Sequence, residues 1–254
     1  MKVEITVPTS IAEIPLVNYQ KFVNASKNSE DELFLMEQMV QSFCGIELRS
    51  IAKMKMNDLT EIIISLTETL KSEGKFHERF KIKDLEFGFI PNLEDISFGE
   101  YVDLENYLQD VSSFHKAMAV MYRPIKETKG ERYTIHEYKG SDEYSDLMKF
   151  APLEIVKGAN VFFWSLEKEL LTATLKFLER EMTAEMKAHL VKELNLQNSG
   201  GGMEAYMSSL QTTLQNLMKS PNWDYENALL FLRLQNRAMK FRSANLTELQ
   251  NDNE

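Results

Sequence analysis

The chain has 254 residues and a formal net charge of −10, with 43% hydrophobic residues, 27% charged residues, 10 glycines and 6 prolines. This composition is typical of a folded, mostly helical protein, and the negative charge argues against general nucleic-acid binding, which needs a basic surface. No signal peptide and no run of about 18 apolar residues is visible, so we expect a cytoplasmic protein without a membrane span.

The first part of the chain is predicted to be helical after one short strand. Alternating apolar residues over 3–7 predict that strand, and Ser10 and Ser29 each begin an S-x-x-E capping box. The second box opens a helix that ends at Gly45, where glycine can adopt the left-handed conformation. Asp58, with a glutamate three residues later, is predicted as the N-cap of the next long helix.

Two β-hairpins are predicted from strand-like runs that flank short turns. The first joins residues 75–82 to residues 85–90, and the second joins residues 124–128 to residues 132–138. An acidic stretch, residues 87–110, begins within the last strand of the first hairpin and contains six acids and no base.

The acidic stretch contains a third capping box, formed by Ser97 and Glu100, that predicts a helix beginning at Phe98. Its apolar face is predicted to contain Tyr101, Leu104 and Leu108. Two interpretations of the acids remain open: capping and solvation of the helix, or an acidic docking face for a basic partner. The candidate protein-binding acids are Glu94, Asp95, Glu100, Asp103 and Glu105.

The second part of the chain is predicted to contain the longest helix and a separate C-terminal module. Pro152 is placed as the first position of a core helix that runs to about residue 182 and includes the aromatic run at 161–164. The run NSGGG, residues 198–202, predicts a flexible linker. The predicted domains are therefore a body with two hairpins, the linker, and a C-terminal αα-hairpin with its tail: residues 1–197, 198–202 and 203–254.

A basic stripe is predicted on the last helix, where Arg233, Arg237 and Lys240 share one face. The stripe and the acidic stretch carry opposite charges, so they could meet within one chain or between copies in a homo-oligomer. The alternative is that both are solvated helix faces.

No catalytic, cofactor-binding or metal-binding motif stands out, so we expect a protein that is not an enzyme. The four histidines form no metal-binding pattern, and Cys44, the single cysteine, gives neither a disulfide nor a thiolate cluster. The rival hypothesis is a small enzyme in which Glu94, Tyr101 and Asp103 converge in a cleft.

The order of these features resembles virion-assembly proteins of tailed bacteriophages. The resemblance covers the plan of residues 1–180: a short strand, a helical body, the segment FIPNLEDISFGEYVDL, then YRPI and the aromatic helix. It is nearest to tail-assembly chaperones, which implies a partner such as the tape-measure protein and action in the cytoplasm of a bacterial host. A structural virion component, such as a connector or baseplate protein, is the alternative. The resemblance assigns no functional residue.

Overall fold

The computed structural model describes the following residues of the chain: 5–27, 29–93, 96–176, 208, 211–212, 234–235 and 237–239. The chain divides into two compact units, Met1–Ala159 together with Glu226–Glu254, and Asn160–Tyr225. Helices predominate in the described part and accompany one four-stranded antiparallel sheet, which confirms the predicted α+β, mostly α class. The glycine segment predicted as a linker lies outside the described residues, as does most of the predicted αα-hairpin.

The helices of the described part follow the capping patterns with some shifts. The strand predicted over 3–7 is wrong for residues 5–7, which belong to no strand. Ser10 caps a short 3₁₀ turn, Ile11–Glu13, by accepting a bond from the Ala12 amide at 3.2 Å. The α-helices are α1 (Leu16–Lys27), α2 (Glu32–Cys44), α3 (Leu48–Ile51), α4 (Met56–Leu70), α5 (Phe98–Tyr107), α6 (Phe114–Met121), α7 (Asp142–Met148) and α8 (Leu153–Lys176).

Two predicted N-caps are corrected by the structure. The N-cap of α2 is Asp31, whose carboxylate accepts bonds from two backbone amides of the first turn, while Ser29 accepts from the Asp31 amide. Helix α4 begins at Met56, so Asp58 lies inside its first turn, where a carboxylate still interacts favourably with the helix dipole. The predicted end of α2 is confirmed, because Gly45 has a φ of 67°.

Both predicted hairpins form, and they join into a single sheet. The strands are β1 (Arg79–Ile82), β2 (Leu85–Phe89), β3 (Tyr122–Lys129) and β4 (Arg132–Ile135), in the order β1-β2-β3-β4. The joining pair is β2 with β3, in which Phe89 lies opposite Tyr122. Helix α6 leads directly into β3, so it ends where the sheet begins.

The core of the first unit consists of the buried faces of its helices and of one side of the sheet. Phe22 of α1 and Phe43 of α2 contact each other with ring centroids 5.5 Å apart. The ring of Tyr122 meets both Phe80 and Phe89 edge-on, which is a favourable arrangement of aromatic quadrupoles. The Tyr122 hydroxyl donates to a backbone carbonyl, so this buried polar atom has a partner.

Two glycines allow the segment after α4 to lie directly against α8. A Cβ atom added at Gly158 would lie 2.1 Å from the carbonyl oxygen of Lys75, and one added at Gly74 would lie 2.3 Å from the Gly158 nitrogen. Helix α4 ends at Leu70, so Gly74 is not its C-cap. The role of Gly74 is therefore close backbone packing.

A buried lysine supports the same junction. Lys157 of α8 is 5% exposed, and its ammonium donates to the carbonyl oxygens of Leu70 at 3.2 Å and of Ser72 at 2.9 Å. Carbonyls at the C-terminal end of a helix lack helical partners and carry partial negative charge. Lys157 therefore satisfies the end of α4 from a neighbouring helix.

Part of the predicted C-terminal helix packs within the first unit. The side chains of Leu234 and Ala238 are fully buried. Gln235 accepts a hydrogen bond from the ammonium of Lys71 at 2.5 Å. Gln235 thus contacts the residue that follows α4.

The second unit is described mainly through the later turns of α8. Asn160 is buried there, whereas Val161 is 46% exposed and the three aromatic residues that follow are half-buried. The aromatic run was predicted to lie in a core helix. In the described residues it is buried on part of its circumference.

Candidate functional site

The best-defined candidate surface is built on helix α5, whose start is the predicted capping box. The Ser97 hydroxyl accepts a bond from the Glu100 amide at 3.3 Å. The Glu100 carboxylate in turn accepts from the Ser97 amide at 2.8 Å and from its hydroxyl at 2.6 Å. The reciprocal bonds confirm the predicted start of the helix.

Glu100 also forms a buried ion pair with Arg123, the second residue of β3. The Arg123 guanidinium lies 2.5 Å from the Glu100 carboxylate, and the two side chains are 8% and 7% exposed. Burial by itself would raise the pKa of Glu100, but the hydrogen bonds from Ser97 and the charge of Arg123 outweigh it and lower the pKa below its ordinary value. The pair therefore fastens α5 to the sheet with the carboxyl ionised.

The ion pair changes which face of α5 is buried. Leu104 and Leu108 are buried as predicted, but Tyr101 is 44% exposed and Glu100 is buried in its place. The apolar pattern alone placed Tyr101 inward. Pairing with Arg123 offsets the cost of burying the carboxylate, so the helix is turned relative to that expectation.

A second contact fastens the next turn of α5. The Tyr138 hydroxyl donates a hydrogen bond to the Asp103 carboxylate, and the Arg123 guanidinium lies 5.6 Å from the centroid of the Tyr138 ring. Burial and then this bond to Asp103 raise the pKa of the Tyr138 phenol. Arg123 of the sheet thus binds Glu100, and Tyr138 of the loop after β4 binds Asp103.

The outward face of α5 is aromatic and acidic. Phe98 is 82% exposed, the largest exposed fraction among the large apolar side chains described as exposed, and Tyr101 and Glu105 are exposed beside it at helical spacing. We call Phe98, Tyr101 and Glu105 the α5 surface. Single exposed apolar residues are common on proteins, but an aromatic side chain exposed to this degree is a candidate contact residue.

The candidate acids therefore have different surroundings. Glu100 and Asp103 are engaged with the sheet and the loop after β4, whereas Glu105 faces solvent. Glu94 and Asp95 lie outside the described residues. At the end of the acidic stretch, Asp110 pairs with Lys27 of α1 at 2.6 Å.

Of the three residues of the basic stripe, the structure describes only Arg237. Arg237 lies 3.4 Å from the carboxylate of Glu32, the first residue of α2. Arg233 and Lys240 lie outside the described residues. The meeting of the stripe with the acidic stretch stays a prediction, and the described arginine contacts α2.

Little in the described part suggests catalysis. Both carboxylate oxygens of Glu100 accept bonds, and Asp103 lies against Tyr138 while Tyr101 is on the solvent side of α5. Burial raises the pKa of the Cys44 thiol to about 11, which disfavours the nucleophilic thiolate. Among the described residues, no group of three or more metal-ligating side chains could hold an ion.

An open groove of about 230 Å³ lies between β3, the loop after β4 and α7. It is lined by charged and polar side chains, namely Lys126, His136, Glu137, Lys139 and Glu143. Its mixed charges favour no particular ligand class.

In the part of the chain that the structure describes, no helix is long and apolar enough to cross a membrane.

Sequence reasoning missed Arg123 and Tyr138, which organise the site. A signal for Arg123 is present, because it is the only charged residue in the run MAVMYRPI, residues 118–125. A lone cation within an apolar run indicates a buried charge, and a buried charge needs an acid. Which acid it meets depends on the tertiary contact between α5 and β3.

Comparisons of the chain with models of protein families, with curated proteins and with solved structures found no match.

Proposed function

We propose that the chain is a non-catalytic protein-binding protein that uses the α5 surface to hold its partner. The observation that carries the proposal is the exposure of Phe98 on a helix whose opposite side is fastened by the buried Glu100–Arg123 pair. Aromatic side chains are frequent anchors in protein interfaces because they bury much apolar area with few rotatable bonds.

The rigid attachment of α5 matters for binding. Two separate contacts, one from Arg123 and one from Tyr138, hold the helix before any partner arrives. A pre-organised surface loses little conformational entropy on association, so more of the contact energy remains as affinity.

The biological role we propose is that of a tail-assembly chaperone of a tailed bacteriophage, with the tape-measure protein as partner, in the cytoplasm of the host. This part of the proposal rests on the resemblance of the sequence plan. The exposed α5 surface is consistent with a protein that holds another chain.

The test is affinity capture from infected host cells with the tagged wild-type protein and with Phe98→Ser. We expect the tape-measure protein to be enriched by the wild type and lost with the variant. Phe150→Ser is the matched control, because Phe150 is also an exposed aromatic, at 54%, but lies after α7. Failure of the wild type to capture any tail protein would contradict the role, and stoichiometric recovery of the chain in purified particles would identify a structural component instead.

A further inference from the structure

We infer that the segment bound at the α5 surface is a basic amphipathic helix of the partner. This inference deepens the proposed function and rests on it.

The shape of the α5 surface suits a helical ligand. Phe98, Tyr101 and Glu105 are spaced at i, i+3 and i+7, so they form one ridge about 10 Å long on two turns of helix. Helices pack on each other by placing such ridges between side chains of the partner, and an amphipathic helix supplies a complementary apolar stripe. The two aromatic side chains would contact that stripe.

The negative charge of the α5 surface indicates basic residues on the ligand helix beside its apolar stripe. The stretch 87–110 contains six acids and no base, and among its described acids Glu100, Asp103 and Asp110 already have partners in Arg123, Tyr138 and Lys27. Glu105 remains directed at solvent at the end of the aromatic ridge. Lysine or arginine beside the apolar stripe of the ligand would complement this charge, and the complementarity mainly sets orientation and association rate.

The experiment measures binding of labelled synthetic helices to the full-length protein by fluorescence anisotropy. One peptide of about 18 residues has leucine and phenylalanine at helical spacing with lysine and arginine flanking them, and the second has glutamate in place of every base. We expect the basic peptide to bind at least about tenfold more tightly than the acidic one, and added salt to reduce that difference.

Variants of the chain locate the binding site. Phe98→Ser should weaken binding of the basic peptide by about tenfold or more, as loss of an aromatic anchor does, while Phe150→Ser should leave it unchanged. Glu105→Lys should weaken binding of the basic peptide and strengthen binding of the acidic one. All three substituted side chains are exposed, so equal unfolding midpoints are expected and serve as a check on folding.

Two results would overturn the inference: equal affinity for the two peptides, or binding of the basic peptide that Phe98→Ser and Glu105→Lys leave unchanged. The proposed function fails separately, through the absence of a captured tail protein from infected cells. Capture of the tail protein with no preference for the basic helix would leave the function standing and remove this inference.

Discussion

Two buried cations in the first unit are compensated in different ways. Arg123 at the start of β3 meets a carboxylate, that of Glu100, whereas Lys157 of α8 donates to backbone carbonyls at the end of α4. The carboxylate titrates and the carbonyls do not. A buried charge can therefore be balanced by a charged side chain or by the end of a helix, and the two arrangements respond differently to mutation and to acid.

The largest expected effect comes from Arg123→Met, which leaves the Glu100 carboxylate buried without its cation. Removing one partner of a buried ion pair typically costs about 3–5 kcal/mol. Urea unfolding followed by circular dichroism measures it. Adding Glu100→Gln to Arg123→Met should recover part of the loss, and a double variant as unstable as the single one would show that the charge of Glu100 is not the cause.

The junction around Lys157 is tested next by Gly158→Ala. The new methyl group would lie 2.1 Å from the Lys75 carbonyl oxygen, so backbone has to move, and we expect a loss of about 2–3 kcal/mol in the free energy of unfolding. Gly99→Ala is the matched control on α5, where a Cβ atom meets nothing within 4 Å. There the alanine should be neutral or stabilising by up to about 1 kcal/mol, because glycine is a poor helix former.

A smaller loss is expected from Lys157→Met. The variant keeps most of the buried hydrocarbon of the side chain but removes the hydrogen-bond donor to the Leu70 and Ser72 carbonyls. Because buried polar groups are then left without that donor, we expect the free energy of unfolding to fall by about 1–3 kcal/mol. It should destabilise the protein less than Arg123→Met, since the acceptors are neutral. Thermal unfolding of the two variants side by side checks this order, and the reverse order would mean that the carbonyls depend more on their cation than the carboxylate does.

The smallest effect should be the response to acid. Glu100 has a lowered pKa in the folded state, so the stability it contributes is present above its unfolded pKa, about 4.3, and is lost as the pH falls through the folded value. The difference in unfolding free energy between the wild type and Glu100→Gln should therefore shrink below about pH 4. The hydrogen bond from Lys27 lowers the pKa of Asp110. Asp110 contributes equally to the stability of both proteins, so its contribution cancels in the difference. A difference that stays constant down to pH 3 would contradict the assignment of this acid dependence to Glu100.

Much of the local structure followed from the sequence alone. The capping box at Ser97, the stop at Gly45, both hairpins and the mostly α, α+β class are confirmed, since each depends on residues that are close neighbours along the chain. Asp58 shows the limit of such patterns, because several residues in one turn can satisfy the same amides and packing selects among them.

The surroundings of the charged residues depend on contacts between elements that are distant in the chain. The periodicity of α5 placed Tyr101 inside and Glu100 outside, and contact with Arg123, from a distant strand, reversed the two. The close approach of Gly74 to Gly158 has the same origin, since it joins segments far apart in the chain. Local sequence patterns carry the preferences of a single element, whereas the compensation of a buried charge depends on which elements cross, and that is determined when the chain folds as a whole.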